Sequence, residues 1–361
     1  MFNLFKKPAF GLDISDYSAE IIDLEGSSAR PKLSCITRTI FEPGIIQEGK
    51  ILKKDLLKDS LQKLISNPQF GILKTNKVIF SLPESKSFSR FFDYPQGFKK
   101  EETESFIRES VLQSFPYSLE ELQIDFRENK EGIIISAVPK DVISEYFNVF
   151  KDCGLESLAF ENESESLARI LGKQKSSVMV IDIGAKVTNL SVFDHDKLKF
   201  SVSLNSAGDN LTKAISESLK VSLESAEKMK REDGLSLEKK EGRVFLILQK
   251  DISNLIKEIS RNLEYFQEKN QNKITEIILI GGSANLPDLP EYLSQNLSLP
   301  VALFDPWLKI NIDLLKRKEN IKKAEEINPL LYSVAIGAAF RGLMENPEKE
   351  GINFIPKGRK K

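Results

Sequence analysis

Apolar and polar positions follow one pattern in two separate stretches of the chain, residues 10–24 and 178–194. In each stretch an apolar run leads to an acid, Asp13 or Asp182, and a second apolar run follows after a short turn. This pattern predicts a β-hairpin with a carboxylate at its tip. Its recurrence predicts two similar halves, each of which begins with an acid-tipped hairpin.

Runs with strand or helix periodicity fill most of the remaining chain. The predicted strands are 33–39, 77–82, 85–94, 122–127, 132–138, 155–160, 199–204, 275–280 and 300–303. The predicted helices are 50–65, 100–113, 140–153, 161–171, 211–219, 222–232, 242–270, 289–297 and 330–343. Strands interleaved with helices in this way predict an α/β fold in which helices pack on mixed sheets. The last helix is rich in small residues, which would let it lie close against another helix.

Composition and charge narrow the class of protein. Of the 361 residues, 40% are apolar, so the chain can bury sizeable cores, and its length predicts two or three domains. The formal net charge is −1, so no overall positive field recruits nucleic acid, and we expect no nucleic-acid partner. No apolar run approaches the roughly 18 residues of a membrane span, which predicts a cytoplasmic chain. Two cysteines and one histidine provide neither a disulfide framework nor a His-based metal site.

Small-residue turns and carboxylates recur in an order that suits a bound nucleotide. Backbone N–H groups in such turns bind phosphates, and carboxylates hold the accompanying metal ion. The chain offers the two acid-tipped hairpins, turns at 206–210 and 281–283, and the pair Glu227 and Lys230, three residues apart on a predicted helix. Each feature alone is more often structural than functional, and it is their combination that favours nucleotide binding.

The order of these features resembles the actin-like ATPase superfamily, which includes actin, the heat-shock chaperone ATPases and sugar kinases. Residues 83–150 are inserted ahead of the connecting helix, as in the FtsA and PilM branch. The segments FSLPESKSFSRFFDYP, FPYSLEELQIDF, ESAEKMK and AIGAAFRGL resemble the PilM family of type IV pilus assembly proteins. FtsA is less favoured because its chain would end in an amphipathic membrane helix, and GINFIPKGRKK does not have that pattern.

The resemblance implies an actin-like ATPase fold, with two similar halves around a nucleotide cleft and a small α+β subdomain inserted in the first half. Subdomain 1A would comprise residues 8–82, 154–177 and 329–345, and residues 83–153 would form the partner-binding subdomain 1C. In the second half, subdomain 2A would comprise residues 178–207 and 274–328, and subdomain 2B residues 208–273. Residues 346–361 would form a polar, basic C-terminal tail.

The resemblance also implies ATP and Mg²⁺ as ligands, with three acids in the catalytic set. Asp13 and Asp182 would hold the magnesium ion, mostly through water, and Glu161 would help to position the attacking water. The other expected nucleotide contacts are Ser15, Asp16, Gly184, Ala185, Thr188, Gly208, Asp209, Glu227, Lys230, Gly281, Gly282 and Ser283. Among these, Glu227 and Lys230 would bind ribose and base. From the residues alone, Glu161 is equally well explained as an acid that complements the dipole of a helix first turn.

The first hairpin departs from the pattern of the family. Ser15 replaces a glycine, Glu20 stands in the place of a lysine, and Asp16 adds another acid. Negative charge beside a triphosphate costs on the order of 1 kcal/mol or more, so we expect weakened nucleotide binding and at most slow ATP hydrolysis. The second hairpin keeps its small-residue turn, and we expect it to carry more of the phosphate contact.

One partner follows from the resemblance, the N-terminal peptide of the inner-membrane protein PilN, which would hold the chain at the inner face of the inner membrane. Residues Ile352–Pro356 are similar to the I-N-L-L-P motif with which PilN begins. We therefore expect this tail to occupy the partner groove between the first half and the insert, in its own chain or in a neighbouring copy as a means of self-association. A tail that is disordered or docks elsewhere explains the match equally well.

Three alternatives to a pilus assembly protein stay open at the level of sequence. One is an FtsA-like or type II secretion platform protein. Another is a sugar-kinase-like phosphotransferase, although no sugar-binding signature accompanies a candidate catalytic aspartate. The third is a scaffold on the same fold that no longer binds nucleotide, which Ser15 and Glu20 favour.

Overall fold

A computed structural model describes residues 8–195, 197–269 and 272–356 of the chain. The chain divides into two compact units. Among the described residues, unit 1 comprises 8–172, 198–200 and 306–356, and unit 2 comprises the others between 173 and 305.

Sixteen strands and ten α-helices are assigned within the described residues. The strands are β1 (Phe10–Ile14), β2 (Ser18–Ser27), β3 (Arg30–Ile40), β4 (Ile46–Gln47), β5 (Lys50–Ile51), β6 (Phe70–Gly71), β7 (Lys77–Leu82), β8 (Phe88–Asp93), β9 (Leu122–Glu128), β10 (Gly132–Pro139), β11 (Glu156–Asn162), β12 (Ser177–Ile183), β13 (Thr188–Asp194), β14 (Lys197–Leu204), β15 (Ile274–Ile280) and β16 (Val301–Leu303). The helices are α1 (Lys54–Ser66), α2 (Thr103–Ser114), α3 (Lys140–Asp152), α4 (Glu163–Leu171), α5 (Gly208–Leu219), α6 (Leu223–Asp233), α7 (Arg243–Lys269), α8 (Leu289–Leu297), α9 (Ile321–Ala324) and α10 (Ser333–Gly342).

The main sheet of unit 1 contains the first predicted hairpin. Its six strands lie in the order β11-β7-β1-β2-β3-β6. β1 pairs antiparallel with β2, which sets Asp13 opposite Glu20. On its other side β1 pairs parallel with β7, which sets Asp13 beside Ser81. The prediction of an acid-tipped hairpin at Asp13 is confirmed.

Unit 2 repeats this arrangement around the second hairpin. Its sheet carries the order β16-β15-β12-β13. β12 pairs antiparallel with β13, which sets Asp182 opposite Asn189, and parallel with β15, which sets Asp182 beside Ile280. Each hairpin therefore has a parallel strand beside its acid-bearing strand. The predicted similarity of the two halves is confirmed at the level of strand topology.

The insert of unit 1 is a three-stranded antiparallel sheet covered by α2. β8, β10 and β9 lie in that order, and a small core forms around Val111, Ile133 and Ile135. The predicted insert extends to residue 153 and includes α3. In the structure the buried face of α3, including Tyr146 and Phe150, packs in the main core of unit 1 instead. The apolar stripe of α3 thus serves the larger sheet.

The unit to which residues 306–328 belong also differs from the prediction. We expected residues 306–328 in the second half, but they are grouped with unit 1. The reason is backbone pairing with β3, in which the Leu33 N–H donates to the Asn311 carbonyl at 2.9 Å and the Asn311 N–H donates to the Pro31 carbonyl at 3.0 Å. The sequence of this segment has no periodicity that would have predicted such pairing.

Helix α10 packs as closely as its small residues predict. A Cβ at Gly337 would overlap the carbonyl of Ser166 in α4, and a Cβ at Gly11 of β1 would overlap the carbonyl of Ala335 in α10. The expected close approach to another helix is confirmed, and α10 lies equally close to the central strand of the sheet.

The C-terminal segment differs from the predicted polar tail. Ile352 and Phe354 are fully buried and belong to the main core of unit 1. Of the basic residues in that prediction, Lys349 is described and exposed, and the others lie in 357–361, outside the described part of the chain. None of the helices in the described residues is long and apolar enough to cross a membrane.

Candidate functional site

Two small-residue turns of unit 2 are joined by backbone hydrogen bonds. The Gly184 N–H donates to the Val187 carbonyl at 3.0 Å and closes the turn between β12 and β13. The Gly208 N–H, at the start of α5, donates to the Gly184 carbonyl at 3.0 Å, and the Asp209 N–H donates to the Ala185 carbonyl at 2.9 Å. The first turn of α5 therefore lies directly against the tip of the second hairpin.

A third turn, after β15, meets the same place. Gly281 has φ +88°, and a Cβ there would overlap Oδ1 of Asp182. A Cβ at Gly208 would overlap Oγ of Ser283 and would lie 3.2 Å from the Gly184 carbonyl. The glycines thus permit a close approach that no side chain would allow. The structure brings together Asp182 and the three turns that the sequence singles out.

Thr188 and Asp209 take roles at the edge of this cluster. Thr188 is fully buried, and its hydroxyl donates to the Ser206 carbonyl at 2.5 Å, so it fastens the two turns to each other. Asp209 is half exposed and forms a 2.6 Å ion pair with Lys186. Sequence analysis did not select Lys186. The signal that could have found it is a lysine within the small-residue turn between β12 and β13.

Lys230 of α6 is a buried cation with three acceptors. Its Nζ lies 3.0 Å from the Gly208 carbonyl, 2.8 Å from the Thr212 hydroxyl and 2.7 Å from Oε2 of Glu227. These contacts account for all three ammonium hydrogens. Lys230 therefore ties α6 to the first turn of α5.

Glu227 remains open to solvent on one side. Burial acts to raise the pKa of this carboxyl, but hydrogen bonds from Lys230 and Thr212 outweigh it, so the pKa is lowered. The Thr212 hydroxyl donates at 2.6 Å to Oε2, and Arg231 lies 2.8 Å from Oε1. The side chain is 34% exposed. Glu227 is thus an ionised acceptor held in a fixed position. Thr212, which sequence analysis missed, is a polar residue one helical turn after Gly208.

The first hairpin, in unit 1, uses its polar side chains to hold two turns, its own and the one between β4 and β5. The Ser15 hydroxyl accepts the N–H groups of Tyr17 and Ser18 at 3.2 and 3.0 Å. The Asp16 carboxylate accepts the N–H groups of Glu48 and Gly49. The side chains of Ser15 and Asp16 are thus already engaged, and their contacts with a nucleotide stay predictions.

Glu20 does not add an uncompensated charge to this hairpin. It is buried on β2 and forms a 2.6 Å ion pair with Arg38, its neighbour on β3. Burial raises the pKa of Glu20, and the Arg38 guanidinium opposes that shift. The expectation that Glu20 repels a triphosphate is corrected, because an arginine one strand away supplies the opposite charge.

Glu161 lies on β11 rather than at the start of a helix, where the sequence placed it. Its carboxylate accepts from Ser166 at 2.6 Å, from two nitrogens of Arg169 at 2.8 Å and from Arg341. Burial acts to raise its pKa, yet Arg169 and Arg341 lower it to about 2. In this conformation both carboxylate oxygens are engaged by arginines, which is the arrangement of a structural ion-pair cluster.

The acids fit a magnesium ion only as partial ligands. Hard carboxylate oxygens suit Mg²⁺, which usually keeps several waters and binds one or two carboxylates plus phosphate oxygens. Among the residues that the structure describes, no group of three or more His, Cys, Asp or Glu side chains is arranged to hold a metal by itself. Asp13 on β1 of unit 1 and Asp182 on β12 of unit 2 are single carboxylates of this kind, each at the hairpin of its own unit.

A family model supports the resemblance over almost the whole chain. The model described as type IV pilus assembly protein PilM matches residues 11–343. Among curated proteins, the cell division protein FtsA of Staphylococcus epidermidis is 24% identical over 196 residues, which is 48% of this chain and 42% of that protein. The chain thus matches less than half the length of this curated relative.

Solved structures share the fold. The PilM-PilN type IV pilus biogenesis complex superimposes with a TM-score of 0.79 at 22% identity and covers 93% of this chain and 99% of that chain. MreB5 of Spiroplasma citri bound to AMPPNP gives a TM-score of 0.52 at 14% identity, with 92% of this chain and 95% of that chain covered. These likenesses show that the fold is that of the actin-like ATPases.

Proposed function

We propose a function from the premise that this chain belongs to the PilM family of type IV pilus assembly proteins. In this proposal the chain is a cytoplasmic, actin-like, ATP-binding component of the pilus assembly machinery. Its nucleotide state is linked to binding of the N-terminal peptide of a PilN-like inner-membrane protein. Through that partner it is peripheral to the inner membrane.

One observation carries the nucleotide part of the proposal, namely the convergence of three small-residue turns beside Asp182. Turns of this kind bind phosphate through backbone N–H groups. Here those groups would be others than the N–H groups of Gly184, Gly208 and Asp209, which are used within and between the turns. The first turn of α5 adds the positive end of a helix dipole. A Cβ at any of the three turn glycines would fall within 3.4 Å of a neighbouring atom. The neighbour is the Val187 carbonyl for Gly184, the Gly184 carbonyl for Gly208, and the Asp182 carboxylate for Gly281.

The surrounding polar groups suit the rest of the nucleotide. Glu227, ionised and partly exposed, would accept the ribose hydroxyls, with Lys230 and Thr212 as the groups that position it. Lys186 would pair with a phosphate in exchange for Asp209. Asp13 and Asp182 would hold Mg²⁺, mostly through water. Because Glu161 is engaged by two arginines, we infer that ATP is held with at most slow hydrolysis.

The partner part of the proposal rests on family membership and on the fold. One solved structure with the same fold is a complex of PilM with PilN. We infer that a PilN-like peptide binds unit 1 of this chain.

Calorimetry of MgATP binding tests the nucleotide part. Asp182→Asn and Asp13→Asn keep the shape of each side chain and remove its charge, so each should weaken MgATP binding at least tenfold and reduce its dependence on Mg²⁺. The matched control is Glu217→Gln on the exposed face of α5, which should bind as the unaltered chain does. Normal MgATP affinity in both aspartate variants would show that the site is assigned wrongly.

A further inference from the structure

The C-terminal segment docks on the edge of the main sheet of unit 1. β11 is the edge strand of that sheet. The Phe354 N–H donates to the Phe160 carbonyl at 2.9 Å. The Asn353 side chain supplies two further contacts, since its Oδ1 accepts the Phe160 N–H at 3.2 Å and its Nδ2 donates to the Leu158 carbonyl at 3.2 Å. One backbone hydrogen bond and two side-chain contacts thus hold the segment along the edge strand.

Fixed polar groups recognise the backbone of the segment from its other side. Asp125, on β9 of the insert, accepts the Asn353 N–H at 2.8 Å. Arg341 donates to the Ile352 carbonyl at 2.6 Å. Arg341 is itself held by Glu161 and by the Pro347 carbonyl. Three consecutive residues, 352–354, therefore have main-chain groups bound by side chains or by an edge strand.

Apolar side chains fill the groove beneath these contacts. Ile352 and Phe354 are 0% exposed, and Ile355 packs against the same core. The segment that leads to them is different, because Glu345, Asn346, Lys349 and Glu350 are exposed. A well-recognised pentapeptide thus follows a connection that is largely in contact with solvent.

The groove keeps one donor that the segment does not use. Nη2 of Arg341 is fully buried and has no hydrogen-bond acceptor among the residues that the structure describes. A buried donor without an acceptor costs free energy. With the segment in place, this donor of Arg341 thus stays without an acceptor among the described residues.

We propose that the groove between β11 and β9 is a binding site for an extended peptide of the pattern apolar–Asn–apolar, and that Ile352–Pro356 is a displaceable occupant of it. The segment acts as an internal competitor. Its local concentration is that of a short tethered ligand, in the millimolar range. A peptide supplied by another protein can bind only chains whose groove is empty. Its apparent dissociation constant is therefore the intrinsic dissociation constant divided by the fraction of chains with an empty groove.

Docking of Ile352–Pro356 in the groove does not depend on the proposed function. The identity of the peptide from another protein that would replace it does rest on the proposed function. The PilN-like peptide of the proposed function would have to displace Ile352–Pro356. Binding of the partner would then depend on release of the tail.

Titration of a labelled peptide with the sequence of residues 350–357 tests the proposal. Full chain and a chain ending at Glu350 are compared by fluorescence anisotropy, with circular dichroism as the check on folding. We expect the shortened chain to bind at least tenfold more tightly than the full chain, and a peptide with alanine in place of asparagine to bind more weakly. A folded shortened chain that does not bind, or a full chain that binds equally well, overturns the proposal.

A full-length variant covers the case in which the shortened chain does not fold. Asn353→Ala removes the side-chain contacts to Phe160 and Leu158 and should increase peptide affinity, whereas Asn346→Ala in the exposed connection should not. Hydrogen exchange of the unaltered chain gives a second readout. The Phe354 and Phe160 amides should exchange many times faster than those of β7, because the segment opens on its own. Exchange of these amides only on global unfolding would overturn the proposal.

A parallel titration with the N-terminal cytoplasmic peptide of the PilN-like protein separates the two proposals. If the tail peptide binds the shortened chain and the partner peptide does not, the groove is supported and the partner is wrong. If only the partner peptide binds, the internal competitor is excluded while the partner stands. If both bind and compete, both proposals are supported.

Discussion

Glu161 is a single residue on which three parts of unit 1 depend. It lies on β11 and binds Arg169 of α4 and Arg341 of α10, the arginine that also holds the Ile352 carbonyl. A buried carboxylate between two arginines is costly to disrupt, since removal of its charge leaves both cations uncompensated. At the scale of the residue, Glu161 is an anchor for the C-terminal segment as well as for the two helices.

Glu161→Gln should therefore lower the free energy of unfolding by about 3–5 kcal/mol near neutral pH, the typical cost of breaking a buried ion pair. The folded-state pKa is depressed from 4.5 to about 2, so this stability is fully present above the unfolded pKa and is lost as pH falls from 4.5 towards 2. Urea unfolding at several pH values measures the difference between the unaltered and variant chains.

The control for this substitution is Glu156→Gln, on an exposed position of the same strand, which should change stability by less than about 0.5 kcal/mol. A difference between Glu161→Gln and the unaltered chain that does not shrink in acid would contradict the role of the ionised carboxylate.

Sequence analysis reached the local polar residues of the site but missed their long-range partners. The turns at Gly184 and Gly281 directly follow strands, and Asp182 lies near the end of β12. Each of these signals involves residues that are close in the sequence. The pairs Glu20–Arg38 and Glu161–Arg341 depend on strand register and on the packing of distant segments, so no local pattern indicates them. The charge of Glu20 is therefore predicted without its partner Arg38, and the arginines around Glu161 are not predicted at all.

At the scale of the element, glycine determines how closely α10 packs. Gly337 lies against the carbonyl of Ser166 in α4, and Gly342 lies against the carbonyl of Ala9. Glycine is otherwise unfavourable inside a helix, by about 1 kcal/mol relative to alanine. Its presence in α10 is explained by close packing. The same reasoning applies to Gly281, where the neighbouring group is the Asp182 carboxylate.

Gly337→Ala should destabilise unit 1 by about 1–3 kcal/mol, the usual cost of overpacking, even though alanine is the better helix former. Urea unfolding followed by circular dichroism measures the change. Gln62→Ala, at an exposed position of α1, offers the gain in helix propensity without the overlap and should be neutral or slightly stabilising. A Gly337→Ala chain as stable as the unaltered one would contradict the packing.

Most elements could be predicted because their apolar periodicity is strong. β7 and α8 have the predicted bounds, and α3 differs by one residue at its end. Residues 306–328 and the C-terminal segment could not be placed, since neither has a regular period. Their positions follow from backbone pairing with β3 and from two apolar side chains, Ile352 and Phe354, that fill space left by other elements.

At the scale of the whole molecule, two units repeat one topology with different polar residues at the hairpin tips. In unit 1, Ser15 holds its own turn and Asp16 holds the turn at residues 48–49, whereas in unit 2 the glycine turns converge beside Asp182. The two hairpins are thus similar in fold and unequal in chemistry. We expect unit 2 to supply most of the phosphate contact.

Hydrogen exchange of the full chain with and without saturating MgATP tests this claim most directly. At a ligand concentration 100 times the dissociation constant, binding stabilises the folded state by about 2.7 kcal/mol, enough to slow exchange wherever the nucleotide contacts the chain. We predict the strongest protection in the turns at 184–188, 206–210 and 281–283, with weaker protection around Ser15. No protection of the unit 2 turns, or protection greater at Ser15 than at those turns, would contradict it.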